Sequence, residues 1–228
     1  MKIALFGYGK MGRVIEEAAQ RKGLDVVAIV DPLGGSRGEI GQADVCIDFT
    51  EPAAALGNIG RAADAGLSIV VGTTGWYDQL DQARQTVERA GTGLVYGSNF
   101  SLGVNLMFRL VAHAAELFTP FLSTYDPFIE EAHHKFKKDA PSGTALKLKE
   151  ILESKCGSQV PTTSIRAGYF PGVHTVGLDS EADTLEIKHC ARGRWGFAEG
   201  ALLAANWINE RKGLHEFSEV IDDAIAGG

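Results

Sequence analysis

Lys2-Ile3-Ala4-Leu5-Phe6-Gly7-Tyr8-Gly9-Lys10-Met11-Gly12 runs from a short apolar stretch straight into glycines. Beyond it Met11, Val14, Ile15, Ala18 and Ala19 fall on one face of a helix that Gly23 closes. This order of strand, glycine turn and helix gives the spacing Gly7-x-Gly9-x-x-Gly12 its meaning. The glycines permit a tight turn and let backbone approach a ligand closely. The helix start offers unpaired N–H groups and a positive dipole end to a pyrophosphate. Asp31 closes a second strand nineteen residues beyond Gly12, where a carboxylate holds a ribose hydroxyl. The loop from Gly7 to Gly12, with Tyr8, Lys10 and Met11, and Asp31 are therefore cofactor-binding candidates. An acidic group at that point repels a 2′-phosphate, so NADH is the preferred cofactor. Lys10 and Arg37 bring positive charge that keeps NADPH admissible.

Working outward, Asp25 to Val30, Asp44 to Phe49, Leu67 to Val71 and Gly93 to Tyr96 are further apolar runs of strand length. Helical stretches separate them, one opened by Pro52 and another around Asp78 to Ala90. Short apolar strands alternating with helices predict a Rossmann-type, doubly wound parallel sheet covered on both faces. Ligands of such sheets bind beyond the C-terminal strand ends. That rule adds Gly72, Thr73 and Thr74, and the stretch Tyr96, Gly97, Ser98, Asn99 and Phe100, to the cofactor candidates. After Asn99 the pattern changes. Leu106 to Leu117 reads as a long apolar helix, Tyr125 to His134 as a strand, Ser142 to Glu153 as a helix, and Thr175 to Cys190 as two more strands. This is an α+β region with an open mixed sheet, for substrate binding and oligomerisation, over residues 101–199. The tail, Ala198 to Ala226, returns to helix, so residues 1–100 and 200–228 form one dinucleotide-binding domain that is discontinuous in sequence.

The formal net charge is −7, and no basic tail or Lys/Arg stripe offsets it. Nucleic acid is thus excluded as the main partner, because neutralising phosphates needs concentrated positive charge. Cys46, Cys156 and Cys190 share no metal-type spacing and read as small buried hydrophobes in a reducing compartment. No apolar run is long enough for a signal peptide or a membrane span, which predicts a cytoplasmic protein.

The sharpest local feature is Glu130-Glu131-Ala132-His133-His134-Lys135-Phe136-Lys137-Lys138-Asp139-Ala140-Pro141-Ser142-Gly143-Thr144. Two histidines and three lysines crowd together in an otherwise acidic chain. A turn over Ala140 to Thr144 then leads into a helix from Ala145. Its free N–H groups and hydroxyls suit a small anion, one with more than one carboxylate. Histidine near neutral pH, or a lysine of lowered pKa, can donate the proton a reductase needs. Adjacent histidines on a strand point to opposite faces. If both serve one site, the strand must end or bulge near His134. A zinc site is not expected, since H-E-x-x-H, C-x-x-C and i,i+4 histidine pairs are all missing.

Together these motifs resemble the 4-hydroxy-tetrahydrodipicolinate reductase (dihydrodipicolinate reductase) family of bacterial lysine and diaminopimelate biosynthesis. Glu131-Ala132-His133-His134, Lys137 and Asp139 to Ala145 match its long signature E-A-H-H-x-x-K-x-D-A-P-S-G-T-A. Lys10-Met11-Gly12-Arg13, Val45 to Thr50, Gly72 to Gly75, Ser98 to Ser101, His174-Thr175-Val176 and Arg194 to Ala201 resemble further family segments in order. The resemblance implies hydride transfer from reduced nicotinamide to C4 of a dicarboxylate heterocycle, with loss of water. It makes His133 and Lys137 the proton-donor candidates. His134, Lys137, Ser142, Gly143 and Thr144 would hold the substrate carboxylates, Thr74 would touch both ligands, and Phe100 would lie beside the nicotinamide. It also implies a homotetramer built through the second domain's sheet. The glycine loop is shorter than the family's G-x-x-G-R-M-G form, and Pro32 stands where many members carry an arginine for the 2′-phosphate. Two other functions fit the first domain alone. An amino-acid dehydrogenase of the aspartate type leaves the His133–Thr144 stretch without a purpose. A dinucleotide-sensing regulator would carry a recognition module, and no basic recognition helix is present.

Overall fold

A computed structural model describes residues 1–31 and 34–227 of the chain. In chain order its elements are β1 (Lys2–Phe6), α1 (Lys10–Arg21), β2 (Asp25–Val30), β3 (Val45–Asp48), α2 (Pro52–Asp64), β4 (Ser68–Val71), α3 (Leu80–Ala90) and β5 (Gly93–Tyr96). There follow α4 (Leu102–Phe118), β6 (Asp126–His133), α5 (Gly143–Cys156), β7 (Thr162–Arg166), β8 (Val173–Asp179) and β9 (Thr184–Cys190). The chain closes with α6 (Trp195–Ile208), β10 (Gly213–Glu216) and α7 (Phe217–Ala226). Two compact units result: Met1–Leu102 together with Arg194–Gly228, and Gly103–Gly193. The divisions fall a few residues from positions 101 and 199, because α6 is one continuous helix whose buried face belongs wholly to the first unit's core.

The first unit is a six-stranded parallel sheet in the order β10-β5-β4-β3-β1-β2. Successive strand residues feed opposite faces, as the pleat demands. Ile3, Leu5, Val45 and Ile47 pack with Ile15, Ala205 and Phe217 from α1, α6 and α7. Ala4, Phe6, Cys46 and Ile69 pack instead with Ile59 of α2 and Val87 of α3. Both faces are therefore covered, which is why these strands read as unbroken apolar runs. The sixth strand, β10, lies inside the tail expected to be all helix. Gly213-Leu214-His215-Glu216 has a single large apolar residue, and its strand character comes from pairing with Gly93 to Tyr96 of β5.

Among the described residues the link from β2 to β3 holds a short 3-10 turn and no α-helix. Arg37 folds back and pairs with Ile29 of β2 through both backbone groups, at 2.8 and 2.9 Å. Gly38 makes this return feasible: at φ +68 a Cβ there would lie 2.0 Å from the Val27 carbonyl oxygen. Pro32, noted above, lies outside the described residues.

The second unit has a four-stranded mixed sheet, β7-β6-β8-β9, with β6 and β7 parallel and the remaining pairs antiparallel. β7 was not anticipated, since Thr162-Thr163-Ser164-Ile165-Arg166 is mostly polar and gains its strand from β6. One sheet face carries α4 and α5, burying Ile129 and Val176 against Met107, Val111, Leu148 and Leu152. Glu130, Ile165, Glu186 and Lys188 stand exposed on the opposite, open face. The apolar row Ile129–Val176–Ile187 is followed, one step along the strands and on the same face, by the polar row Ser164–Glu131–His174–His189. Of the cysteines Cys46 is buried, Cys156 half-buried and Cys190 exposed, so Cys190 departs from the expected buried role. No helix among the described residues is long and apolar enough to cross a membrane.

Candidate active site

In the first unit the loop after β1 is shaped by the absence of side chains. A Cβ on Gly12 would sit 2.3 Å from the Gly7 carbonyl oxygen, and one on Gly7, at φ +86, would sit 2.6 Å from that of Phe49. Gly9 caps α1 without a side-chain bond. The cradle is therefore bare backbone leading into a helix start, which fits a dinucleotide's pyrophosphate. Asp31 accepts the Tyr8 backbone N–H at 3.3 Å, fixing the end of β2 against the loop. The Tyr8 hydroxyl bonds Glu16, which also receives the Arg37 guanidinium. Its bond to Glu16, with burial, pushes the Tyr8 phenol upward. Arg13 lies over the Tyr8 ring, 4.7 Å from its centroid.

The loops after β3 and β4 are tied together by a residue to which sequence reading gave no role, Asp48. It is completely buried. It accepts from the Thr73 hydroxyl at 2.6 Å, the Asn58 amide at 2.6 Å, the Thr50 hydroxyl at 2.9 Å and the Thr50 N–H at 3.0 Å. Burial pushes its carboxyl up, and these hydrogen bonds pull it back only in part. Thr73 thus spends its hydroxyl inside the protein, while Thr74 beside it is exposed. Gly72 is pressed on the Phe49 ring, where a Cβ would come within 2.2 Å. A cleft of about 250 Å³ brings together Met11, Phe49, Gly72, the stretch Ser98 to Phe100, and Arg194 and Phe197 at the start of α6. Phe100 forms the cleft's floor: its ring is 1% exposed and stacks on Phe217 at 4.5 Å. Tyr96 points elsewhere, edge-on to Trp76 and Tyr77. Gly97 packs against Phe217. Trp76 is fully buried, with its indole N–H on the Thr73 carbonyl at 2.8 Å, so it serves packing.

In the second unit β6 ends at His133, and His134 stands outside the strand. The cause is the loss of partners. The ladder to β7 ends at the His133–Arg166 pair, and the ladder to β8 ends at Ala132–Val173. His134 is thus released from strand alternation, while His133 keeps the face it shares with Glu131. The chain turns, and the Lys137 N–H bonds back to the His134 carbonyl at 3.1 Å. The Lys137 ammonium meets Asp139 at 2.8 Å, which holds the Asp139 carboxyl below its ordinary value. After a cis Ala140–Pro141 bond, Ser142 caps α5 by accepting the Ala145 N–H at 3.2 Å, a contact worth about 1 kcal/mol. The helix starts at Gly143, with Ser142 as its cap, between the two expected starts of Ser142 and Ala145. Ser142 is 3% exposed, and its hydroxyl also lies 3.2 Å from His174 Nε2. Gly143 is exposed, with nothing within 4 Å of where its Cβ would be.

Behind this loop lies a buried cluster that sequence reading did not assemble. Glu131 receives Arg166 at 2.7 Å, the Ser164 hydroxyl at 2.7 Å and the Ser142 N–H at 2.9 Å, all on Oε1. Its Oε2 faces His133 Nδ1 at 3.3 Å and His174 Nε2 at 3.6 Å. Burial pushes the Glu131 carboxyl up, but the hydrogen bonds from Ser142, Arg166 and Ser164 outweigh it and bring it to about 2. Burial drives both histidines down, His174 to about 4. The ligand atoms of Glu131, His133 and His174 lie within 4.8 Å of one another, close enough to compete for a divalent cation. The Arg166 charge on the same carboxylate opposes one. The signal for this cluster was the i,i+2 spacing of Glu131 and His133, which puts both on one strand face.

Residues 1–100 match the family described as dihydrodipicolinate reductase, N-terminus, and residues 103–221 match dihydrodipicolinate reductase, C-terminus. The 4-hydroxy-tetrahydrodipicolinate reductase of Christiangramia forsetii is 37% identical over 236 residues, covering 98% of each chain. That of Neisseria gonorrhoeae is 32% identical over 268 residues, covering 97% of each. The dipicolinate-bound dihydrodipicolinate reductase of Paenisporosarcina sp. TG-14 shares the fold, with a TM-score of 0.80 at 23% identity over 95% of this chain and 97% of that one.

Proposed function

The chain belongs to the dihydrodipicolinate reductase family, and on that premise we propose that it reduces 4-hydroxy-tetrahydrodipicolinate to tetrahydrodipicolinate with loss of water, using NADH. One observation carries the reading: the strand bearing Glu131 and His133 ends where His134, Lys137 and the α5 start converge. When bound, reduced nicotinamide supplies a hydride to C4 of the substrate. The bare cradle from Gly7 to Gly12 takes the pyrophosphate, and the loops holding Gly72, Thr74 and Asn99 take the nicotinamide end. His134, Lys137 and the Gly143-Thr144 helix start bind the two carboxylates. Ser142 acts through the cap, since its hydroxyl faces Ala145 and His174. His133 or Lys137 gives the proton that leaves with the substrate hydroxyl as water, so one hydride and one proton enter and one water departs.

Two features favour NADH over NADPH. Asp31 presents a carboxylate at the end of β2, and Arg37 is already engaged by Glu16. Initial rates with freshly condensed pyruvate and aspartate semialdehyde test the reading. Consumption of NADH faster than NADPH supports it, and failure to consume either cofactor would sink it. The reading carries with it a cytoplasmic homotetramer, and light scattering checks the assembly.

A further inference from the structure

Glu131 lies one inward step from His133 on the same face of β6, and its side chain is fully buried. Oε1 is saturated by Arg166, Ser164 and Ser142. Oε2 has no hydrogen bond among the described residues, and neither has the equally buried His133 Nδ1, 3.3 Å away. A proton on Nδ1 makes this close contact attractive, an N–H set against a carboxylate oxygen. A proton on Nε2 instead would leave a carboxylate oxygen facing an imidazole lone pair in a buried space, which is costly. A Cβ on Gly172, at φ +136, would come within 3.3 Å of His133 Nε2, so the glycine leaves space beside that nitrogen.

We propose that Glu131 is a positioning residue for the reductive step, holding His133 with its Nδ1–H inward so that Nε2 passes the proton to the substrate. This rests on the reading of His133 as the proton donor. In that step the imidazolium Nε2–H bond breaks, the proton joins the departing hydroxyl, and the Nδ1–H tautomer remains against Glu131. Arg166, through Oε1, fixes where the carboxylate stands.

The groups that face His133 are Glu131 on its own strand, Lys137 and Asp139 from the following loop, Arg166 from β7 and His174 from β8. Glu131 and Asp139 raise the His133 pKa, whereas burial, Lys137 and Arg166 lower it. Removing the Glu131 charge therefore lowers it further. The donating form is protonated, so its loss on the alkaline side must begin at lower pH.

The experiment measures Glu131→Gln and His133→Gln in parallel with the unsubstituted enzyme. For Glu131→Gln the expectation is a kcat about 10- to 100-fold lower, a KM within about 3-fold, and an alkaline limb moved to lower pH. Unchanged kcat in His133→Gln would overturn the donor reading itself. A slowed His133→Gln beside a Glu131→Gln with parental kcat and pH limb would overturn the positioning role alone. If Glu131→Gln does not fold, the 15N shifts of His133 in the unsubstituted protein decide. Protonated Nδ1 is expected, and a neutral ring protonated at Nε2 refutes the proposal.

Discussion

Gly12 stands in the first turn of the helix that follows β1 and His133 at the end of β6, and the two serve their surroundings in opposite ways. Gly12 works by lacking atoms: backbone fills the place of its side chain, and the cradle is shaped by contact alone. His133 works through charge, in a cluster where a carboxylate, a guanidinium and two imidazoles share a few ångströms. The first construction is intolerant of volume and indifferent to pH. The second responds to protons. A cradle of bare backbone suits a group that is the same in every turnover. A cluster of titratable groups suits chemistry in which a proton must move.

The largest effect should come from the charged side. His133→Gln and Lys137→Ala are each expected to lower kcat by roughly 10²–10⁴-fold if both take part in proton transfer. Steady-state kinetics at saturating substrate checks this, and a variant with parental kcat removes that residue from the donor pair. Its counterpart is Gly12→Ala. The 2.3 Å approach to the Gly7 oxygen is to backbone, so relief requires moving the turn. A stability loss of about 3 kcal/mol and loss of NADH binding are expected, read by denaturant unfolding and by fluorescence titration.

Acid separates the two units next. His174 falls from 6.5 in the unfolded chain to about 4 in the folded one. Between those values the unfolded chain binds the proton and the folded one does not. Stability is therefore full above pH 6.5 and declines as pH falls toward 4, by about 3 kcal/mol at one pKa unit per 1.4 kcal/mol. Glu131, held at about 2, continues the decline below the ordinary carboxylate range. Asp48 in the first unit has the opposite sign. Burial raises its pKa, so its contribution is present at low pH and lost as pH rises through the folded value. Hydrogen exchange at pH 7 and pH 4.5, followed by mass spectrometry, should show protection lost first from peptides of residues 103–193. Uniform loss across the chain would erase the distinction. The smallest effect concerns cofactor choice. Asp31→Ser should move the ratio of kcat/KM for NADH over NADPH toward NADPH by about 10-fold, since it deletes a single repulsive charge.

Much of this was legible in the residues themselves. The first five strands and the glycine turn declare their structure locally, because strands buried on both faces need unbroken apolar runs. The strand break at His134 followed from asking two adjacent histidines to serve one place. What escaped depends on neighbours. β7 and β10 are polar or very short, and they are strands because β6 and β5 pair with them. Asp48 looked like one more residue of the strand Asp44 to Phe49 until Thr50, Asn58 and Thr73 converged on it. Glu131 and His174 meet only through the antiparallel register of β6 and β8, which no local pattern encodes. Ser142, expected to offer its hydroxyl to the substrate, is turned inward because a helix start claims that oxygen.

The polar row Ser164–Glu131–His174–His189 adjoins the apolar row Ile129–Val176–Ile187 on the same face of the second sheet. Replacing Glu131, Arg166, Ser164 and His174 together by leucine, methionine or valine would extend that apolar layer by one row. Replacing a buried ionic group whole by well-packed hydrophobes is often neutral or stabilising, whereas removing Glu131 alone would strand the Arg166 charge. A selection for heat resistance alone would therefore favour such replacements here. The resulting proteins would be sturdy and idle, which makes this row the place where durability and turnover are traded against each other.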